Sequence, residues 1–180
     1  PLKRHDGRVV SLRDYFESGT PVLLTFAYHS CETLCSMVLD VVARHGLVLC
    51  TGHLGRDEIF RLVEAAAERG IRDIVVTHPE FPCQNFSLDD QRALAERGCL
   101  LERCLSTPLS GKTDWEHVFD GVRAVGTERN LFSSDCGNPD YPPVEDGLAL
   151  WADRLLGGGF DEDEVREMIV GQSRRLAGAR

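Results

Sequence analysis

The stretch that decides the fold of this chain is DIVVTHPEF, Asp73 to Phe81. The run from Ile74 to Val76 is short, apolar and β-branched, which is typical of a strand buried on both faces. The polar residues that follow, beginning with Thr77 and His78, continue a strand poorly. Functional groups of parallel α/β proteins collect where strands end and loops begin. His78 is therefore a candidate functional residue.

Two other predicted strands end in the same way. Residues 47–52 lead into His53, and residues 130–134 lead into Asp135. Zinc and similar divalent ions take imidazole and carboxylate ligands, and a nearby carboxylate can accept a proton from an activated water molecule. The pattern predicts a zinc or manganese centre formed by His53, His78 and Asp135. The alternative is that each polar residue only caps its strand or binds a loop backbone.

The sequence repeats a strand, a loop and an amphipathic helix. The strand cores begin near Val22, Val48, Ile74, Leu100 and Leu131, at a spacing of roughly 26 residues for the first three steps. Helices are expected over residues 12–16, 37–45, 57–69 and 144–156. Two further helices should follow caps at Ser87 and Thr113, and a final helix should begin at Asp161. Strict alternation predicts an α/β fold with a parallel sheet and right-handed crossovers. Five such units are too few to close an eight-stranded barrel.

Composition narrows the classes of partner. The chain has 20 Lys and Arg against 29 Asp and Glu, a formal charge of −9, which argues against nucleic acid and anionic membranes. No apolar run approaches the ~20 residues of a membrane span. The 7 cysteines are scattered and odd in number, which favours free thiols in a reducing cytoplasm over a disulfide framework. We therefore expect a cytoplasmic protein that acts on a small molecule.

A second pattern is Cys31-x-x-x-Cys35, between a predicted strand and a predicted helix. Thiols four residues apart at the start of a helix share one face, and the helix dipole lowers their pKa. Such a pair can bind a soft metal such as Cu(I), or form a disulfide. The alternative is two small residues that fill space in the core.

Residues 46–180 resemble the second half of an amidohydrolase-like, metal-dependent hydrolase TIM barrel. The matching text is LVLCTGHL, DIVVTHPEFP, NLFSSDCGNP and PPVEDGLALWADRLL. The resemblance implies that His53 and His78 end the fifth and sixth strands as metal ligands, and that Asp135 ends the eighth as ligand and base. It also implies hydrolysis of a small amide, ester or lactone-like bond. The family's ligands on the first and fourth strands have no counterpart, which implies an incomplete site.

Residues 5–43 resemble instead the start of a Sco/SenC copper chaperone, a thioredoxin-like protein. The matching text is HDGRVVSLRDYF and PVLLTFAYHSCETLCSMVLDVVA. This resemblance implies copper bound by Cys31 and Cys35. The two resemblances together divide the chain into a Sco/SenC-like segment, 1–45, and a half barrel, 46–180. The fold expected is thus a partial TIM barrel preceded by a thioredoxin-like βα segment, and the alternatives to a hydrolase are a copper or thiol protein and an inert chimera.

Incomplete parent folds also bear on assembly. A sheet of five parallel strands has two edges whose backbone groups lack partners, and such edges recruit other chains unless they are covered. We therefore expect a homo-oligomer.

Overall fold

The computed structural model describes residues 2–3, 9–10 and 34–178 of this chain. Strands β1 (Leu2–Lys3) and β2 (Val9–Val10) pair antiparallel. The following elements are α1 (Leu34–His45), β3 (Leu49–Cys50), α2 (Arg56–Glu68), β4 (Ile74–Thr77), α3 (Leu88–Glu96), β5 (Leu100–Cys104), α4 (Ser106–Leu109), α5 (Trp115–Val125), a 3-10 turn (Thr127–Arg129), β6 (Asn130–Ser133), α6 (Val144–Gly157), α7 (Glu162–Arg166), a π-helical turn (Glu167–Gly171) and α8 (Gln172–Leu176). Within these residues, no helix combines the length and apolarity needed to cross a bilayer.

Strands β3, β4, β5 and β6 form a parallel sheet in sequential order. Helices alternate with these strands along the chain, so the predicted α/β class and parallel pairing are confirmed. The expected strand from Val22 to Tyr28 and the expected helical turn over 12–16 lie outside the described residues.

The long helices pack on one face of this sheet. Val76, Leu101 and Phe132 point to that face, where they join cores contributed by α2, α3, α5 and α6. The opposite face carries Val75, Leu100 and Leu131, and Leu176 at the end of α8 packs against them. A sequential strand order with one-handed crossovers places successive helices on the same side, which explains this arrangement.

Two of the predicted helix N-terminal residues, Ser87 and Asp161, are confirmed as N-caps, and one, Thr113, is not. Ser87 and Asp161 each form a capping box, which satisfies backbone N–H groups at the start of α3 and α7. The prediction that Thr113 caps the next helix was wrong, because α5 begins at Trp115 with Asp114 at the N-cap. Aspartate is itself a favoured residue type at that position. The final helix runs from Glu162 as expected, but a π-helical turn interrupts it.

Helix α6 approaches the end of β6 so closely that only glycine fits at position 147. A Cβ on Gly147 would lie 2.5 Å from the Cβ of Ser134, whereas one on Gly157 in the same helix would meet nothing within 4 Å. Gly147→Ala should therefore destabilise the protein by about 1–3 kcal/mol through overpacking. Gly157→Ala should change the stability by no more than about 1 kcal/mol.

Urea unfolding of the two variants measures this difference. Equal unfolding midpoints would contradict the packing of α6 against the loop that carries Asp135.

Candidate metal centre

Three potential ligands converge at the carboxyl edge of the sheet. His78 follows β4, Cys104 ends β5 and Asp135 follows β6, and one ligand atom of each lies within 4.8 Å of the others. The three strands are parallel neighbours, so their carboxyl ends meet at the same edge. Imidazole, thiolate and carboxylate are all ligands of zinc. This group could therefore hold a metal ion.

The backbone at the centre is unusual in the same way at two ligands. His78 has φ 55° and Asp135 has φ 47°, both in the left-handed region. Residues other than glycine adopt positive φ uncommonly, and such strain clusters at functional sites. The positive φ values at both His78 and Asp135 are therefore consistent with a functional site.

The His78 imidazole is buried and is held on both sides. The residue is 4% exposed, its Nε2 lies 3.6 Å from Oδ2 of Asp135, and its Nδ1 lies 3.2 Å from Oγ1 of Thr107. A hydrogen bond at one ring nitrogen fixes the orientation of the ring and leaves the other nitrogen for a ligand. Thr107 therefore directs Nε2 of His78 toward Asp135.

The other two ligands are each bound by a serine. Ser106 donates a hydrogen bond of 2.6 Å to Oδ2 of Asp135, whose side chain is 53% exposed. Ser133 donates a hydrogen bond of 3.2 Å to Sγ of Cys104, which is buried. Asp135 thus faces solvent at the mouth of the centre, and Cys104 lies at its base.

Electrostatics favour the neutral forms of His78 and Cys104 when no cation is near. Burial lowers the pKa of His78, against the opposing effect of the Asp135 carboxylate. Burial also raises the pKa of the Cys104 thiol, and Glu102 raises it further. A neutral imidazole has a free lone pair for a metal, and a bound cation deprotonates a coordinating thiol. The centre therefore suits a divalent cation better than it suits an extra proton.

His53 lies beside this group without belonging to it. Its ring stacks on that of His78, with centroids 4.9 Å apart and planes 21° apart, and it also stacks on Phe81 at 5.6 Å. The residue is exposed and follows Gly52, which has φ 60°. The structure thus places His53 beside His78, as a stacking partner.

Cys104 is the ligand that sequence reasoning missed. It has no cysteine partner at a metal-binding spacing, so the sequence alone favours a space-filling role for it. The available signal was its position, since Cys104 ends β5 just as His78 and Asp135 follow their own strands. The other sequence candidates, Cys31 and the thiol of Cys35, lie outside what the structure describes, although the backbone of Cys35 is in the first turn of α1.

The loop that carries His78 is fixed by a buried ion pair. Glu80 contacts Nη1 of Arg103 on β5, and both side chains are almost fully buried. Arg103 also donates to Oδ1 of Asn130 at 2.6 Å and to Oε1 of Gln91 at 3.0 Å. Burial lowers the pKa of the Arg103 guanidinium to about 9. Glu80 therefore has a structural role two residues after the candidate ligand.

These features define an α/β protein with a one-sided parallel sheet and a candidate metal centre at its carboxyl edge. The profile of a family of unknown function (DUF6282) matches residues 4–102, more than half of the chain. The chain therefore belongs to that family. Neither a curated protein nor a solved structure gives a significant match.

Breaking the buried ion pair should destabilise the fold strongly. Glu80→Leu leaves the Arg103 charge buried without its partner, which typically costs about 3–5 kcal/mol. In the double variant Glu80→Leu/Arg103→Met no charge remains unpaired, so it should be more stable than Glu80→Leu alone. Denaturant unfolding of both variants tests this, and a double variant no more stable than the single one would mean that the pairing does not hold the loop.

Proposed function

We propose that this protein is a metal-dependent hydrolase of the amidohydrolase type, acting on a small amide, ester or lactone-like bond. The observation that carries the proposal is the convergence of His78, Cys104 and Asp135 at the carboxyl edge of a parallel sheet. Active sites of (β/α)₈ barrels lie at this edge.

The layout of the helices supports a partial TIM barrel. A doubly wound sheet carries helices on both faces, whereas a barrel carries them only outside. The long helices α2, α3, α5 and α6 pack on one face, and the strand order is sequential. The family match to 4–102 runs across the boundary expected between residues 45 and 46. We therefore favour a single domain over a fusion of two incomplete ones.

The residues present fit a divalent ion by their donor chemistry. His78 offers Nε2, Cys104 offers Sγ and Asp135 offers Oδ2, and His53 is a fourth donor if it turns from its stack. A donor set of nitrogen, sulfur and oxygen favours zinc over manganese. The ion would supply Lewis-acid activation of water and of the scissile carbonyl.

The chain's own residues would do the rest of the chemistry. Asp135 faces solvent and would accept the proton of the attacking water, then return it to the leaving group. Ser106 holds the Asp135 carboxylate in place through its hydrogen bond to Oδ2. Thr107 keeps the His78 ring in the orientation needed at the centre.

Purified protein should contain zinc or manganese, and replacing either the buried ligand His78 or the exposed ligand Asp135 should lower the metal content. His78→Ala and Asp135→Asn should lower the metal content, and Asp135→Asn should also reduce hydrolysis of a panel of small esters, amides and lactones at least ~100-fold. His117→Ala is the matched control, because His117 is exposed on α5. Elemental analysis together with the hydrolysis assay makes the measurement.

Metal-free protein, or metal retained in both ligand variants, would overturn the proposal. Loss of metal in His117→Ala as well would show only that metal retention depends on stability.

The role of His53 can be separated into ligation and stacking. His53→Phe keeps an aromatic ring beside His78 but removes the nitrogen donors, whereas His53→Ala removes both. If His53 turns to bind the ion, both variants should weaken zinc binding about 10–100-fold, as measured by competition with a chelator. Zinc binding that survives in His53→Phe but not in His53→Ala would assign His53 to stacking alone.

A further inference from the structure

Lysine is rare in this chain, and one of its lysines, Lys112, lies beside the candidate metal centre. The sequence contains only two lysines, Lys3 and Lys112, and the rest of its 20 Lys and Arg residues are arginines. Lys112 occupies the turn between α4 and α5, just beyond the carboxyl end of β5. A lysine ammonium is a compact point charge with three donors, unlike the planar guanidinium.

Aromatic contacts hold the Lys112 ammonium next to the imidazoles. Its Nζ lies 4.3 Å from the centroid of the Phe81 ring. The same ring lies 5.3 Å from that of His78 and 5.6 Å from that of His53. A single ring therefore separates the ammonium from the candidate metal ligand.

Backbone contacts fix the position of Lys112 through the residue that orients His78. The Lys112 N–H donates to the carbonyl oxygen of Thr107 at 3.2 Å, and the Thr107 hydroxyl contacts Nδ1 of His78. Gly111, with φ 70°, makes the turn that permits this bond. The loop thus ties the lysine and the histidine to one threonine.

The ammonium has no carboxylate partner among the residues that the structure describes. The ion pairs of that part of the chain use arginine or His78 as the cation. An exposed cation–π contact contributes only about 0.5–1 kcal/mol and leaves the N–H donors available. Lys112 can therefore bind an anion without breaking an ion pair.

We propose that Lys112 forms an anion subsite beside the metal centre, which holds the carboxylate or phosphate group of a small anionic substrate. This inference rests on the proposed hydrolase function and names the class of its substrate. The carbonyl to be attacked would lie at His78, Cys104 and Asp135, and the anionic end would lie over Phe81 against Lys112. Charge-assisted hydrogen bonds of this kind both orient and select a ligand.

The small number of lysines allows a direct test. Reductive methylation with ¹³C-formaldehyde keeps the charge of a lysine and gives Lys112 its own NMR signal, which is assigned by its absence in Lys112→Arg. Titration with succinate or inorganic phosphate should shift the Lys112 signal saturably and leave that of Lys3 in place. Neutral succinamide should shift neither signal. No saturable shift at Lys112 with either anion, or an equal shift with succinamide, would overturn the anion subsite.

Variants give the energetic counterpart of this test. Lys112→Met should weaken binding of the anion that shifts the signal by about tenfold in calorimetric titration, and Lys112→Arg should restore most of the affinity. Arg97→Met is the matched control, because Arg97 lies over the Phe60 ring and follows α3 at the opposite edge of the sheet. Equal losses in Lys112→Met and Arg97→Met would contradict a specific subsite.

The titrations are run on metal-free and zinc-loaded protein, so that the two proposals can fail separately. A saturable Lys112 shift in protein that binds no zinc would refute the hydrolase and leave the anion subsite standing. Zinc-loaded protein without that shift would refute the subsite alone.

Discussion

The parallel register of four neighbouring strands is the constraint on which the rest of this structure depends. Because β3 to β6 pair in sequential order, the residues that follow them emerge at one edge of the sheet. The long helices α2, α3, α5 and α6 cover one face, and Leu176 at the end of α8 packs on the other. His78, Cys104 and Asp135 are brought together by this pairing, although they are far apart in sequence.

The loops at that edge are held by specific side-chain contacts. The loop after β4 is held by the buried ion pair between Glu80 and Arg103, and Thr107 in the next loop contacts His78. The left-handed backbone at His78 lies between these contacts, and the Asp135 side chain accepts a hydrogen bond from Ser106. Such support is what a site needs if its ligands are to hold one geometry before an ion binds.

The sequence predicted the parts of this arrangement that follow from local pattern. The apolar runs ending at His78 and Asp135 were visible because a β-branched strand gives way to polar residues at one point. Cys104 was missed because a cysteine ending an apolar strand looks the same whether it packs or binds. Glu80 and Arg103 could not be paired from the sequence, because their contact depends on the tertiary path of the loop. Asp114 rather than Thr113 occupies the N-cap position of α5, because adjacent residues have similar preferences for that position and the sequence pattern does not decide between them.

An α/β fold of this kind supports many activities, so the chemistry of this protein depends on the cluster of His78, Cys104 and Asp135. Anomalous diffraction at the absorption edge of zinc, from crystals of zinc-loaded protein, tests that cluster most directly. The account predicts a peak within bonding distance of Nε2 of His78, Sγ of Cys104 and Oδ2 of Asp135. Crystals with no peak at these atoms, or with the peak elsewhere on the chain, would contradict it.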